Sequence, residues 1–211
     1  MGIPERKLRE REAMKKIILD AAYDLYSQKG LDFTTIRKIA EKIDYSPTTI
    51  YLYYPSKDLI FYDMQKLAFE SLLTALRSVD PAKNASDTLK DLAKIYIDFG
   101  VQNPEKYDLM FLLHSPMRRI PSDQLWENFK ETFEILQRTL KECITWKSVT
   151  YTDPLTGSVQ FWGFLHGLTS LYLKDRFAYF CGTEPEDLAP VYQACEQYLS
   201  SISAYAVRKA G

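Results

Sequence analysis

Residues 33–59, FTTIRKIAEKIDYSPTTIYLYYPSKDL, constrain the fold more tightly than any other stretch of the chain. Ile36, Ile39, Ala40 and Ile43 recur at helical spacing, so residues 36–43 read as a short helix with one apolar face. Asp44 and Tyr45 break the pattern. Ser46 can accept a backbone N–H from the turn that follows, and Pro47 suits a first helical position because its missing donor would be unpaired there. A second short helix therefore starts at Pro47, and Pro55 with Ser56 ends it and caps the next. Two helices joined by so tight a turn form a helix-turn-helix, whose second helix enters the DNA major groove by its N-terminal end.

Within that second helix Ile50 and Tyr54 lie four apart and face inward. Thr48, Thr49, Tyr51, Leu52 and Tyr53, following Pro47, spread over the remaining surface. Thr and Tyr hydroxyls can bond phosphates or base edges, and Leu52 can touch a thymine methyl. Arg37, on the preceding helix, is the one residue here able to fork onto a guanine. A tyrosine-rich helix with interleaved lysines can also be a packed corner of an all-helical protein. The joint spacing of cap, proline, Thr-Ile-Tyr and Ser-Lys favours the DNA reader.

In this register the stretch resembles the N-terminal signature of the TetR family of regulators. The matching residues are Thr35, Ile39-Ala40, Ser46, Thr49-Ile50-Tyr51-Leu52-Tyr53-Tyr54 and Ser56-Lys57-Asp58-Leu59. The match continues upstream through residues 18–30, ILDAAYDLYSQKG, which resemble the family's first helix ending on a glycine cap. It departs at Thr48, where many members carry glycine. Residues 106–111 and the FWGFLHGL of residues 161–168 resemble a C-terminal subtype marked by a Trp, His and Gly cluster. The resemblance implies a three-helix DNA-binding domain, residues 1–57, followed by a helical ligand-binding and dimerisation domain, residues 58–211. It also implies a homodimeric repressor that binds a palindromic operator on double-stranded DNA and is released by a small apolar or amphipathic effector. Lys57 then matches a phosphate-contacting lysine, Thr35 stands near the same backbone, and Arg37 occupies a position that reads a base in some members.

Charge distribution agrees with a reader at the N-terminal end. The net charge is −1, yet residues 1–57 carry 11 Lys and Arg against 8 Asp and Glu, leaving 16 against 20 for the rest. Arg6, Lys7, Arg9, Arg11, Lys15 and Lys16 crowd the start, and such an arm can follow phosphates or enter a minor groove. Glu5, Glu10 and Glu12 equally allow a solvated helix with i,i+4 pairs.

Few glycines and sustained 3.6-residue periodicity predict an all-α fold. A helix over residues 56–79 continues from the reader, and residues 80–86 form a loop. Leu89, Leu92, Ala93, Tyr96 and Phe99 mark a further helix, and residues 104–114 form a short one. Another runs through Leu125, Phe129, Phe133, Leu136 and Leu140. Residues 154–179 and 185–206 form the last two, which are the expected dimer contact. Gly163 and Gly167 clear a strip on the first of them, although a close contact inside one subunit explains them as well. Val191, Cys195, Leu199 and Ile202 make an apolar stripe on the second.

Tyr96, Phe99, Phe111, Phe133, Trp162 and His166 are the candidate lining of an effector cavity, with a solid aromatic core as the alternative. His114 and His166 are the only histidines. With three cysteines and no CxxC spacing, they predict no metal site, no cofactor and a reducing compartment, the cytoplasm. Residues 155–173 lack charge over 19 positions but carry Thr156, Ser158, Gln160, His166, Thr169 and Ser170, which suits a buried helix better than a membrane span. HExxH, GxSxG, GxGxxG and phosphate-cradling glycine loops are absent, so no enzyme is expected. Constitutive DNA binding or DNA organisation, without a small-molecule ligand, is the competing function.

Overall fold

Helical periodicity is realised as helix throughout the computed structural model, which describes residues 3–113, 127–182, 184 and 186–204. The elements are α1 (Ile3–Phe33), α2 (Ile36–Lys42), α3 (Pro47–Tyr51), α4 (Lys57–Leu76), α5 (Ala85–Gln102), α6 (Pro104–Tyr107), a π-helical turn (Asp108–Leu112), α7 (Glu127–Thr145), α8 (Pro154–Leu173), α9 (Arg176–Cys181) and α10 (Ala189–Ile202). Among the described residues the β-pairing is a single bridge, Val149 to Ser203.

Several boundaries differ from the sequence expectation for local reasons. Gly30, the expected glycine stop, does interrupt α1: its φ of 77° and ψ of −176° are non-helical, and only a short helical stretch, residues 31–33, follows the kink. The helix expected over residues 154–179 breaks at Lys174 and Asp175, the latter in a left-handed conformation with φ 55°. The last helix starts at Ala189 with Pro190 in its first turn, not at 185. Residues 104–112 split into one α turn and one π turn.

The chain forms two compact units: Met1–Ala68 with Glu105–Trp126, and Phe69–Pro104 with Glu127–Gly211. The first division falls within α4, between Ala68 and Phe69. The first stretch of α4 packs with the reader, and so do residues 105–113. In this first unit Ile18, Ala22, Ile39, Ala40, Ile50, Ile60, Phe61, Tyr107 and Leu109 are almost wholly buried. Tyr26 sets its ring edge-on to Phe61 at 5.6 Å, and its hydroxyl donates to Asp108 at 2.6 Å. Gln65, itself buried, donates through Nε2 to the carbonyls of Leu109 at 3.0 Å and Met110 at 3.3 Å. A π turn misaligns its carbonyls relative to an α-helix, and an amide donor offsets that.

The second unit packs α5, α7, α8 and α10 around Leu72, Leu89, Ala93, Ile97, Leu140, Cys143, Phe161, Leu165 and Val191. Asn84 caps α5 by accepting from Asp87 N at 3.0 Å, and Asp153 caps α8 by accepting from Thr156 N at 2.7 Å. Two backbone bonds, Thr150 N to Ile202 O at 2.8 Å and Ala204 N to Ser148 O at 3.0 Å, tie the α7–α8 connection to the end of α10.

Candidate nucleic-acid interface

Local capping chemistry builds the reader. Thr35 opens α2, its Oγ1 accepting from Lys38 N at 3.2 Å. Asp44, at φ 58°, reverses the chain, and Ser46 opens α3 by accepting from Thr49 N at 3.1 Å. Ile36, Ile39, Ala40 and Ile50 anchor the pair inward. Tyr54 is 2% exposed and donates to Asp63 at 2.8 Å, and burial beside that carboxylate pushes its hydroxyl pKa well up.

What remains outward is the face expected from sequence. Pro47, Thr48, Tyr51 and Leu52 are exposed, Leu52 at 67%, and Tyr53 is half-buried. Thr49 is also half-buried, its hydroxyl lying 2.9 Å from Ser46 Oγ, so part of its bonding capacity serves the cap. Arg37 is exposed, and Glu41, one turn on, pairs instead with Lys38 at 3.0 Å. A forked donor thus stands on the surface beside α3.

Lys57, expected at the phosphate backbone, has an intrachain partner. Its ammonium donates to Leu31 O at 2.6 Å and lies 5.2 Å from the Phe61 ring centroid, and burial lowers its pKa. It serves as a tether inside the unit. Two cations that sequence reasoning left undifferentiated within the N-terminal basic run do border the reader. Arg11 lies over the Tyr53 ring at 5.7 Å, and Lys15 over the Tyr54 ring at 5.4 Å. Their four-residue spacing was the signal available in the sequence.

In the second unit, Tyr96, Phe133, Trp162 and His166 come together. Trp162 Nε1 donates to Tyr96 Oη at 3.2 Å, and His166 Nδ1 lies 3.3 Å from the same oxygen. Phe129 joins them, 5.9 Å from Phe133 and 5.5 Å from Trp162 between ring centroids. Burial lowers the His166 pKa. Phe99 is buried on α5, whereas Phe111 belongs to the other compact unit, 5.0 Å from the Tyr107 ring, because the π turn carries it there. His114 lies outside the described residues. A separate cleft of about 510 Å³, lined by Asn84, Leu89, Lys90, Trp146, Val149 and Ile202 among others, uses none of these aromatic residues.

The stripe on α10 expected at the dimer contact faces inward. Val191, Cys195 and Ile202 are 0%, 5% and 7% exposed, taken up by the core of their own unit, and Leu199 lines the cleft. Gly163 and Gly167 behave otherwise: among the described residues a Cβ at either would meet nothing within 4 Å. With Leu155, Val159 and Leu171, each about half exposed, they form a strip of residues four apart along α8. Among the described residues no His, Cys, Asp or Glu group could hold a metal ion, and no helix is long and apolar enough to cross a membrane.

A capped two-helix reader with an outward threonine and tyrosine face, followed by a helical bundle, defines a helix-turn-helix regulator of transcription. Comparison with known proteins agrees. Residues 18–64 match the family described as bacterial regulatory proteins, tetR family, and residues 89–195 match the tetracyclin repressor-like C-terminal domain. The chain belongs to the TetR family, whose members are DNA-binding transcriptional regulators and not enzymes. It is similar to the nucleoid occlusion factor SlmA of Salmonella newport, 24% identical over 181 residues that cover 83% of this chain and 90% of that protein. Among solved structures, a bacterial regulatory protein in the tetR family from Rhodococcus RHA1 superposes with a TM-score of 0.69 at 19% identity, over 89% of this chain and 96% of that one. AibR, solved in complex with isovaleryl coenzyme A and operator DNA, gives a TM-score of 0.67 at 14% identity, over 89% of this chain and 97% of that one.

Proposed function

We propose that this regulator is a homodimeric repressor that places α3 of each subunit in successive major grooves of a palindromic operator and leaves it when a small apolar or amphipathic molecule binds the second unit. The observation that carries the reading is the outward face of Thr48, Tyr51 and Leu52 on a helix whose opposite side is wholly buried at Ile50. One such helix covers too few base pairs for selectivity, and two separated by about 34 Å or a multiple match a palindrome. The α8 strip of Leu155, Val159, Gly163, Gly167 and Leu171 is the contact we assign to the pair, because its two glycines admit close approach of a second helix.

The effector seat assigned here is the Tyr96, Phe133, Trp162 and His166 group, which combines ring surfaces with polar tips already in one network. The AibR complex supports a ligand and an operator on one chain of this fold. A coupling of about 1–3 kcal/mol between the two suffices for a 5- to 150-fold change in DNA affinity. Likeness to a nucleoid occlusion factor favours a second reading, constitutive DNA binding without a ligand.

Selection of bound sequences from a random DNA pool with the purified chain tests the first claim. Enrichment of a palindrome supports the dimeric regulator, and its absence removes it. Release of the enriched duplex by members of an acyl-thioester and aromatic compound panel supports the effector reading. Binding that no compound changes, at saturating occupancy of the second unit, supports the constitutive one.

A further inference from the structure

The first turns of α1 stand apart from the packed part of their unit. Every residue from 5 to 13 is exposed, and Met14 is the first buried apolar residue. Cations concentrate here, close to a helix end where the backbone dipole disfavours positive charge.

Their arrangement separates two roles. Arg6 pairs with Glu10 at 3.3 Å and Lys16 with Asp20 at 3.4 Å, as a solvated helix would have it. Lys7, Arg11 and Lys15, four apart, share a different face, bordered by Glu10 and by Glu12, which acts on the Tyr54 hydroxyl. Among the described residues none of the three is in an ion pair. The face is also fixed in direction. Arg11 rests over the Tyr53 ring and Lys15 over the Tyr54 ring, so the row leads onto the end of the reader helix. A guanidinium held over a ring is attracted through its charge, which leaves its N–H donors for another partner.

We propose that Lys7, Arg11 and Lys15 form a second, sequence-independent DNA contact, a row of cations on α1 that follows the phosphate backbone beside the groove entered by α3. The inference rests on the DNA-reading assignment of α3 and adds a flanking site to it. Tyr53 then acts partly as a platform that orients Arg11 toward the phosphates. Phosphate contacts of this kind fix register and raise affinity for any duplex without choosing a sequence.

The test is the full chain carrying Lys7→Gln, Arg11→Gln and Lys15→Gln together, changes that keep good helix formers on an exposed surface, with circular dichroism confirming the fold. Affinity for the selected operator and for an unrelated duplex of equal length is measured against salt. Each phosphate contact contributes about 0.9 to the slope of log affinity against log salt, so the variant's slope should be shallower by about 2.7 per subunit on both duplexes. Its selected sequence should be that of the wild type. An unchanged slope with intact wild-type binding overturns the row of contacts alone, and an altered sequence preference overturns its assignment to phosphates. Failure of the wild-type chain to bind any duplex overturns the DNA reading and this inference with it.

Discussion

The Lys57 ammonium donates to the carbonyl oxygen of Leu31 across 2.6 Å, joining the first turn of α4 to the chain just past the left-handed Gly30. Carbonyls at a helix end lack intrahelical partners, and this one is met by a charged donor. The family signature aligns Lys57 with a phosphate-contacting lysine; in this chain the same ammonium is hydrogen-bonded to a backbone carbonyl.

Lys57→Met keeps the stem over Phe61 and removes the donor. It should lower stability by about 1.5 kcal/mol, the value of a hydrogen bond to a charged group. Urea unfolding reads this, and the salt slope of DNA binding should stay as it is. A slope shallower by about 0.9 with unchanged stability would return Lys57 to the phosphate backbone.

Tyr26 and Gln65 hold the π turn in the first unit from two sides. Tyr26→Phe removes a 2.6 Å bond to a carboxylate and should cost about 1.5–3 kcal/mol. Gln65→Leu fills the same space without a donor and should cost about 1–3 kcal/mol, because buried carbonyls of Leu109 and Met110 lose it. Both are measured by denaturant midpoints, and a loss under 0.5 kcal/mol in either would mean the turn is held by packing alone, surface substitutions being typically about that size.

How much of this was legible in the sequence depends on the range of the interaction. Caps are local: Ser46 with Pro47 announces α3, because donor and acceptor sit three residues apart. The break at Asp175 was hidden, since a left-handed aspartate carries no glycine to announce it. Stripe direction is less legible. Val191, Cys195 and Ile202 have helical spacing whether they face their own core or a partner, and only packing decides. Phe111 was grouped with Trp162 by residue type, but Asp108 and Gln65 bind its segment to the reader, a pairing across 82 and 44 residues that no window contains. The Lys57 bond is hidden for a related reason, because its acceptor is a backbone carbonyl 26 residues away.

Burial holds the His166 imidazole below its ordinary pKa of 6.5, with the Tyr96 hydroxyl 3.3 Å from Nδ1. As pH falls through 6.5 the unfolded chain takes up this proton before the folded one does. Stability therefore rises with pH in the window below 6.5 and is lost on acidification through it. Thermal unfolding across that window should show a steeper loss for the wild type than for His166→Gln. Parallel curves would show that His166 titrates alike in both states.

Arg37→Ala should relax base preference at one operator position and cost about 1–3 kcal/mol against the preferred sequence, leaving binding to unrelated duplexes nearly unchanged. Selected-site profiles of the two proteins make the comparison. Uniform weakening across all sequences would place Arg37 on a phosphate instead.

Gly163 separates the dimer assignment from ordinary helix packing. Among the described residues a Cβ there meets nothing within 4 Å, and glycine inside a helix is less favourable than alanine by about 0.8–1.0 kcal/mol. Gly163→Ala should therefore raise the stability of the isolated chain by roughly that amount, measured at dilutions where subunits do not associate. Gly157 supplies the contrast, since its Cβ would lie 3.0 Å from the Tyr151 ring and alanine there must disturb the subunit itself. If α8 meets its partner closely at Gly163, the same substitution that stabilises the chain must push the two helices apart, and Gly163→Leu must do so more. Sedimentation equilibrium should then show association weakening from glycine to alanine to leucine while the fold is retained, with palindrome affinity falling in step. Association unaffected by leucine would remove the α8 strip as the dimer contact.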